Sequence, residues 1–258
     1  MVGIDVDVAD HVATLTIRNP EKRNAIAPSF LPDLAEELDD LESRDDVRCL
    51  VVTGAGAKAF SSGFDLSELD GDAFQEEYED VYDEAFTRLA RFDYPTIARI
   101  NGDAVGGGFD LATACDLRVA ADRARFGIPT ARIGLVYTER AIRQTLTAVG
   151  AANAKELLFT ADLVDAERAE EMGLLNDRVP AAELDDRVDD LAERIASNAP
   201  LSLVGTKRIV QGILDKQAFS PAERALVERL REEAYQSDDY DEGRAAVSDD
   251  REPEFTGE

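Results

Sequence analysis

The chain has 258 residues, 44% of them hydrophobic, which is enough to bury the core of one large domain and too apolar for a disordered chain. Its 55 acidic and 28 basic residues leave a formal charge of −27, which repels phosphate backbones and anionic lipid surfaces and so argues against nucleic acid or a membrane surface as partner. The acidic excess runs through nearly every segment, and 23 Arg stand against five Lys, a composition that looks like adaptation to a salt-rich cytoplasm.

The first residues, "MVGIDVDVADHVATLTI", carry neither a basic flank nor an apolar stretch of signal-peptide length, and nowhere do about 18 apolar residues run together. The expectation is a soluble cytoplasmic protein. Alternation in "HVATLTIRNP" predicts a strand stopped by Asn19-Pro20, and "PSFLPDLAEELDDLES" places Phe30, Leu31, Leu34, Leu38 and Leu41 at helical spacing. "VRCLVVTG" reads as a short buried strand closed by Gly54 and Gly56, "EEYEDVYDEAFTRLARF" as a helix, and "YPTIARINGDAV" as a strand and turn. A helix follows Gly108 and ends near Cys115, the strand "LRVAAD" comes next, and from about Ala151 onward the pattern is helical. This alternation indicates an α/β fold.

Cys49 and Cys115 lie inside apolar runs, as buried thiols do, and no disulfide framework is implied. The single histidine, His11, has no ligand types nearby, so neither a His-dependent triad nor a zinc site can be assembled. No metal is expected.

Two glycine-bearing stretches, "TGAGAKAF" and "NGDAVGGGFD", each follow a strand, yet the first lacks the third glycine of G-x-G-x-x-G and neither ends in the Gly-Lys-Ser/Thr of a phosphate loop. Gly63 and the run Gly106-Gly107-Gly108 sit where a strand yields to a helix, where the backbone turns without a Cβ and unpaired N–H groups point outward. Two such ends brought together hold negative charge. Taken singly, each reads as a tight turn.

Seven segments, "NPEKRNAI", "AFSSGFDLSEL", "INGDAVGGGFDLATACDLRVAA", "RFGIPTARIGL", "AKELLFTA", "AERAEEMGLLNDRV" and "DDYDEGRAA", resemble in order and spacing the crotonase (enoyl-CoA hydratase/isomerase) superfamily. The resemblance implies a spiral of repeated ββα units over residues 1–198 and a helical oligomerisation segment over 199–258, assembled as trimers or dimers of trimers. It implies acyl thioesters of coenzyme A as substrates, and no cofactor beyond the coenzyme A that the substrate carries. In that family the N–H groups at the positions of Phe64 and Gly107 form an oxyanion hole for the thioester oxygen. One such donor is worth roughly 3–4 kcal/mol in a transition state that places negative charge on that oxygen.

The resemblance places Asp110 at the first of two acid/base positions of the hydratases and Thr130 at the second, where a threonine cannot replace a titrating carboxylate. Tyr137 matches a tyrosine that orients the substrate carboxylate in methylmalonyl-CoA decarboxylases of the superfamily, but Phe64 stands where those enzymes carry histidine. Glu139 reads as the start of a helix. By the same resemblance Lys22, Arg23, Asn24 and Ala25 lie near the nucleotide and pantetheine, with Ser62 and Asp65 on the substrate side of the first glycine turn, which Asp65 braces. Phe255 approaches coenzyme A from a neighbouring subunit, and Arg132 either binds a second carboxylate of the substrate or forms a surface ion pair. Hydration of a trans-2-enoyl-CoA is the first expectation, decarboxylation of a malonyl-type CoA thioester the alternative, and a non-catalytic acyl-CoA binder the third.

Overall fold

A two-residue turn opens the chain's architecture: Asp10 and His11 both have positive φ (48° and 67°), the geometry that joins two right-twisted strands tightly. It links β1 (Gly3–Ala9) to β2 (Val12–Arg18), paired antiparallel from Ala9↔Val12 to Gly3↔Arg18. The computed structural model describes residues 3–65, 77–215 and 238–251, with the single positions 225, 232 and 236. β1 lies outside the strands expected from sequence, although Ile4, Val6 and Val8 alternate with Asp5 and Asp7 along it.

Three strand pairs then repeat one plan. β3 (Cys49–Gly54) precedes β4 (Ala59–Ser61), β5 (Thr96–Ile100) precedes β6 (Asp103–Val105), and β7 (Leu117–Ala121) precedes β8 (Arg125–Gly127). The first member of each pair joins a six-stranded sheet of order β1-β2-β3-β5-β7-β10, where β10 is Asp177–Val179. The second member joins a four-stranded sheet of order β4-β6-β8-β9, where β9 is Val164–Asp165. All pairings among β2, β3, β5, β7 and β10, and those of β4 with β6 and β6 with β8, are parallel. Helices α2 (Glu77–Arg91), α3 (Gly107–Ala114) and α4 (Glu139–Thr160) follow the three pairs, and α1 (Phe30–Glu42) precedes them. This is the repeated ββα plan expected from the resemblance.

Alternation along β3 divides the interior. Leu50 and Val52 face the main core with Leu15, Ile17, Ala98, Ile100 and Ala120, while Cys49 and Val51 face a second layer with Ile97, Val119 and Ala121. The second layer is closed by Leu184, Val188, Ala192 and Ala196, the apolar stripe of α6 (Leu184–Ala196). Phe30, Leu31, Leu34, Leu38 and Leu41 of α1 are all buried, as their spacing predicts.

The strands β9 and β10 fall within the part expected to be helical. At two and three residues they are too short to show alternation, and partner strands β8 and β7 fix them. The helix expected from Ala151 is the second half of α4, which turns at Gly150, where φ is 74°. A short helix α5 (Ala166–Glu171) precedes α6, and α7 (Pro200–Asp215) follows it. Lys207 ties α7 to the sheet: its Nζ lies 2.6 Å from Asp116 Oδ2 and 2.9 Å from the Tyr94 carbonyl. The helix Asp238–Ser248 packs on a 3-10 turn, Pro129–Ile133, so closely that a Cβ at Gly243 would lie 2.4 Å from Ile133 Cα. Among the described residues no helix is long and apolar enough to cross a membrane.

Cys49 and Cys115 are free and buried, and burial pushes both thiols up to about 12. Because the thiolate is the reactive form, the native protein is expected to resist iodoacetamide at about pH 8, with both thiols alkylated only in denaturant; mass spectrometry of the native reaction checks this. Rapid native labelling of either cysteine would contradict the packing described for it.

Candidate functional site

Two chain segments are stitched side by side at one end of the spiral. A 3-10 turn, Pro20–Lys22, ends in Arg23 and Asn24 with φ of 56° and 57°, a rare conformation that asparagine tolerates. The fully buried Asn24 side chain holds it there: Nδ2 donates to the Ala55 and Ala59 carbonyls at 2.9 Å each, and Oδ1 accepts from Asn19 N–H at 3.1 Å. The turn after β4 runs alongside. Ser62 N–H donates to Arg23 O at 3.0 Å, Ser62 Oγ to Lys22 O at 3.1 Å, and Lys22 Nζ meets Asp65 Oδ2 at 2.5 Å. Ala25 is buried beneath this seam.

The same seam aims one N–H outward. Ile26 N–H donates to Gly63 O at 2.8 Å and Asp65 N–H donates to Ile26 O at 3.0 Å, a parallel bridge centred on Ile26 and Phe64. In such a bridge the central residue of the other strand turns its own N–H and C=O away. Phe64 N–H therefore faces away from Ile26. On its other side stands the start of α3, where Gly107 is the first helical residue and its N–H has no carbonyl within the helix to bond.

The two turns touch. Gly63 has φ of 88°, and a Cβ built on it would lie 2.7 Å from Val105 O and 3.0 Å from Gly107 N. A Cβ on Gly107 would lie 2.9 Å from the edge of the Phe64 ring. Only glycines permit this approach, and it sets two main-chain donors from different ββα units next to one another.

One turn further along α3, Asp110 is fully buried. Its Oδ2 accepts from the Tyr82 hydroxyl and lies 3.3 Å from Arg140 Nη2, whereas Oδ1 has no hydrogen-bond partner among the described residues. Burial pushes its carboxyl up to about 6, against the opposing pull of Arg140. Tyr137 is buried as well, its hydroxyl also without a partner among the described residues, and burial followed by the charge of Asp110 raises it well above the usual tyrosine range. Phe64 packs edge-on against Tyr82 with ring centroids 4.8 Å apart, which completes an apolar wall between the glycine turns and α2.

An acidic group and a phenol, each with an unmatched polar atom, thus sit beside two outward main-chain donors. The family pattern of enoyl-CoA hydratase/isomerase matches residues 7–258. The chain belongs to that family. It is 30% identical to methylmalonyl-CoA decarboxylase of Escherichia coli (strain K12) over 98% of both proteins, and 40% identical to a putative enoyl-CoA hydratase of Thermus thermophilus over 78% of this chain and 80% of that one. A solved methylmalonyl-CoA decarboxylase in complex with 2-nitronate-propionyl-CoA superposes with a TM-score of 0.92 at 30% identity, covering 99% of this chain and 98% of the other.

Within this enoyl-CoA hydratase/isomerase fold, the residues singled out from sequence fall into two groups and four that stand apart. Phe64, Gly107, Asp110 and Tyr137 gather at one place, and Lys22, Arg23, Ala25, Ser62 and Asp65 form the seam beside them. Thr130 lies half-buried on the 3-10 turn, its carbonyl accepting from Leu135 N–H at 3.0 Å. Glu139 begins α4 and pairs with Arg143 one turn on, behind the cap in which Thr138 Oγ1 accepts from Ala141 N–H at 3.1 Å. Arg132 makes an ion pair with Asp162 at 2.7 Å, both side chains more than half exposed, which is the surface-pair alternative. Phe255 lies outside the described residues.

Tyr82, Asp83 and Arg140 were not among the candidates. Tyr82 and Asp83 lie in the segment "EEYEDVYDEAFTRLARF", where helical spacing alone gives them no role in a site. A signal for Arg140 did exist: a cation in the first turn of a helix opposes the dipole and so calls for a compensating acid elsewhere.

Gly63→Ala is expected to destabilise the protein by about 1–3 kcal/mol, from the strained backbone and the collision with Val105 and Gly107. Ser62→Ala, which deletes one exposed hydrogen bond, is expected to cost about 1 kcal/mol or less. Urea unfolding of both variants checks the ordering; equal losses would contradict the close approach of the turns.

Proposed function

We propose that this chain is a lyase that binds an acyl-CoA with its thioester oxygen between Phe64 N–H and Gly107 N–H, and that the reaction is decarboxylation of a malonyl-type thioester. The observation that carries this reading is that the fully buried Asp110, one turn from the Gly107 donor, has an Oδ1 without a partner among the described residues, while the family resemblance sets Thr130, which carries no carboxylate, at the second acid position. Loss of carbon dioxide needs no base. The C–C bond electrons pass into the thioester, the enolate oxygen rests on the two N–H groups, and one proton returned to the α-carbon completes the reaction. Asp110, with its carboxyl raised to about 6, supplies that proton from Oδ1. Tyr137, its hydroxyl without a partner among the described residues, orients the departing carboxylate. The full-length similarity to methylmalonyl-CoA decarboxylases supports the reading. Phe64 departs from the histidine expected of those enzymes and gives this site an apolar wall instead.

A second reading, hydration of a trans-2-enoyl-CoA, is favoured by the hydratase relative at 40% identity and by Asp110 Oδ1, which has no partner among the described residues and can take a proton from water. The two readings use opposite protonation states of Asp110. In decarboxylation the protonated form works, so kcat is expected to be level below about pH 6 and to fall above it; in hydration the ionised form works, so kcat rises through about pH 6. Parallel assays with methylmalonyl-CoA and crotonyl-CoA across this range, scored by product mass, decide between them. An enoyl-specific rising limb without decarboxylation overturns the first reading; loss of both activities with acyl-CoA binding intact favours a non-catalytic binder.

Coenzyme A is proposed to lie along the seam of Lys22, Arg23, Ala25, Ser62 and Asp65. The C-terminal segment over 199–258 is proposed to assemble the protein as a homotrimer or a dimer of trimers. Support comes from α7, which anchors one face to the core through Lys207 and leaves Leu201, Ile209 and Ile213 exposed at 89%, 66% and 58%. Ile209→Asp with Ile213→Asp is expected to reduce the sedimenting mass to that of a monomer; an unchanged mass would remove α7 from the interface.

A further inference from the structure

Asp110 does not face the site alone. Arg140, in the first turn of α4, is held at three points: Nε lies 2.7 Å from Asp83 Oδ1, Nη1 lies 2.6 Å from Gln144 Oε1 and Nη2 lies 3.3 Å from Asp110 Oδ2. Its guanidinium also lies 4.9 Å from the Tyr82 ring centroid and 5.3 Å from that of Phe86, and the side chain is 17% exposed. A guanidinium so fixed acts as a rigid part of the site.

We propose that Arg140, together with the Tyr82 hydroxyl, holds Asp110 by Oδ2 alone, so that Oδ1 is the oxygen that exchanges the proton with substrate, and that Asp83 sets how strongly Arg140 acts. Arg140 is then a positioning residue. The inference rests on Asp110 being the proton-transfer group proposed above.

The geometry explains why the hold is partial. Asp83 competes for the same cation at a shorter distance, and Thr138 Oγ1, 3.2 Å from Asp83 Oδ1, keeps that carboxylate in place. Were Arg140 committed to Asp110, an opposite charge at contact distance would drive the acid well below the neutral range and leave it unable to donate. Shared between two carboxylates, Arg140 offsets only part of the cost of burial. Of the other charged or titratable groups described near Asp110, Tyr82 and Asp83 come from α2 and Tyr137 from the loop before α4.

The test reads the Asp110 carboxyl directly, by 13C NMR of the full chain labelled at aspartate, with the resonance assigned by its absence in Asp110→Asn. Arg140→Gln is expected to raise the midpoint from about 6 by about one unit or more, and Arg140→Lys to return it part of the way. Asp83→Asn, which leaves the cation to Asp110 alone, is expected to lower it. Opposite shifts from two neighbouring substitutions are a signature that loss of packing does not produce. Midpoints unmoved in both Arg140→Gln and Asp83→Asn overturn the proposal, and Asp83→Asn keeps it open to refutation if Arg140→Gln fails to fold. Should the midpoints shift as stated while the pH limb of kcat stays fixed, the hold on Asp110 is upheld and its role in proton transfer fails.

Discussion

The site depends on the contact between two turns that are far apart in sequence and side by side in space. β4 and β6 are parallel neighbours, so the chain leaves both strands at the same edge of the four-stranded sheet. From β4 it enters the Gly63 turn, and from β6 it enters the start of α3. Parallel pairing thus delivers two N–H groups from separate units to one place, and glycine at 63 and 107 leaves the room that lets the two turns approach so closely. A repeat architecture that stacked the units with different register would keep every helix and strand and lose the site.

Around that fixed main chain, the side chains create a graded electrostatic environment. Burial favours neutral Asp110, the start of α3 and the Arg140 cation favour the anion, and the balance leaves the carboxyl at about 6 rather than at either extreme. Burial, and after it the charge of Asp110, penalise the ionised form of Tyr137, so the phenol stays neutral and remains a hydrogen-bond donor. The surrounding surface carries the opposite character: its ion pairs, such as Arg18 with Asp5, Arg44 with Asp46 and Arg132 with Asp162, are exposed and contribute little singly.

The parts of this arrangement that depend on local pattern were legible in the sequence. The buried stripe of α1, the strand at Cys49–Gly54 and the break before Ala151 each rest on spacing or on a glycine, and each is where the pattern puts it. The glycine stretches were legible as turns with outward donors, though their meeting required the resemblance to a known fold, because no local rule brings residue 63 to residue 107. β9 and β10 escaped because partner strands, not their own residues, make them strands. Arg140 and Asp83 escaped for a similar reason. Each is an ordinary charged residue of an amphipathic helix until α2, α3 and α4 pack together, and only then does one guanidinium lie between two carboxylates.

In the proposed function the Phe64 and Gly107 amides polarise a single thioester oxygen. Isotope-edited infrared spectroscopy of an acyl-CoA carrying a 13C-labelled thioester carbonyl measures that polarisation on the bound ligand. The expected result is a clear fall in the carbonyl stretching frequency on binding, relative to the same thioester in water. A bound carbonyl that absorbs at or above its aqueous frequency would contradict the claim.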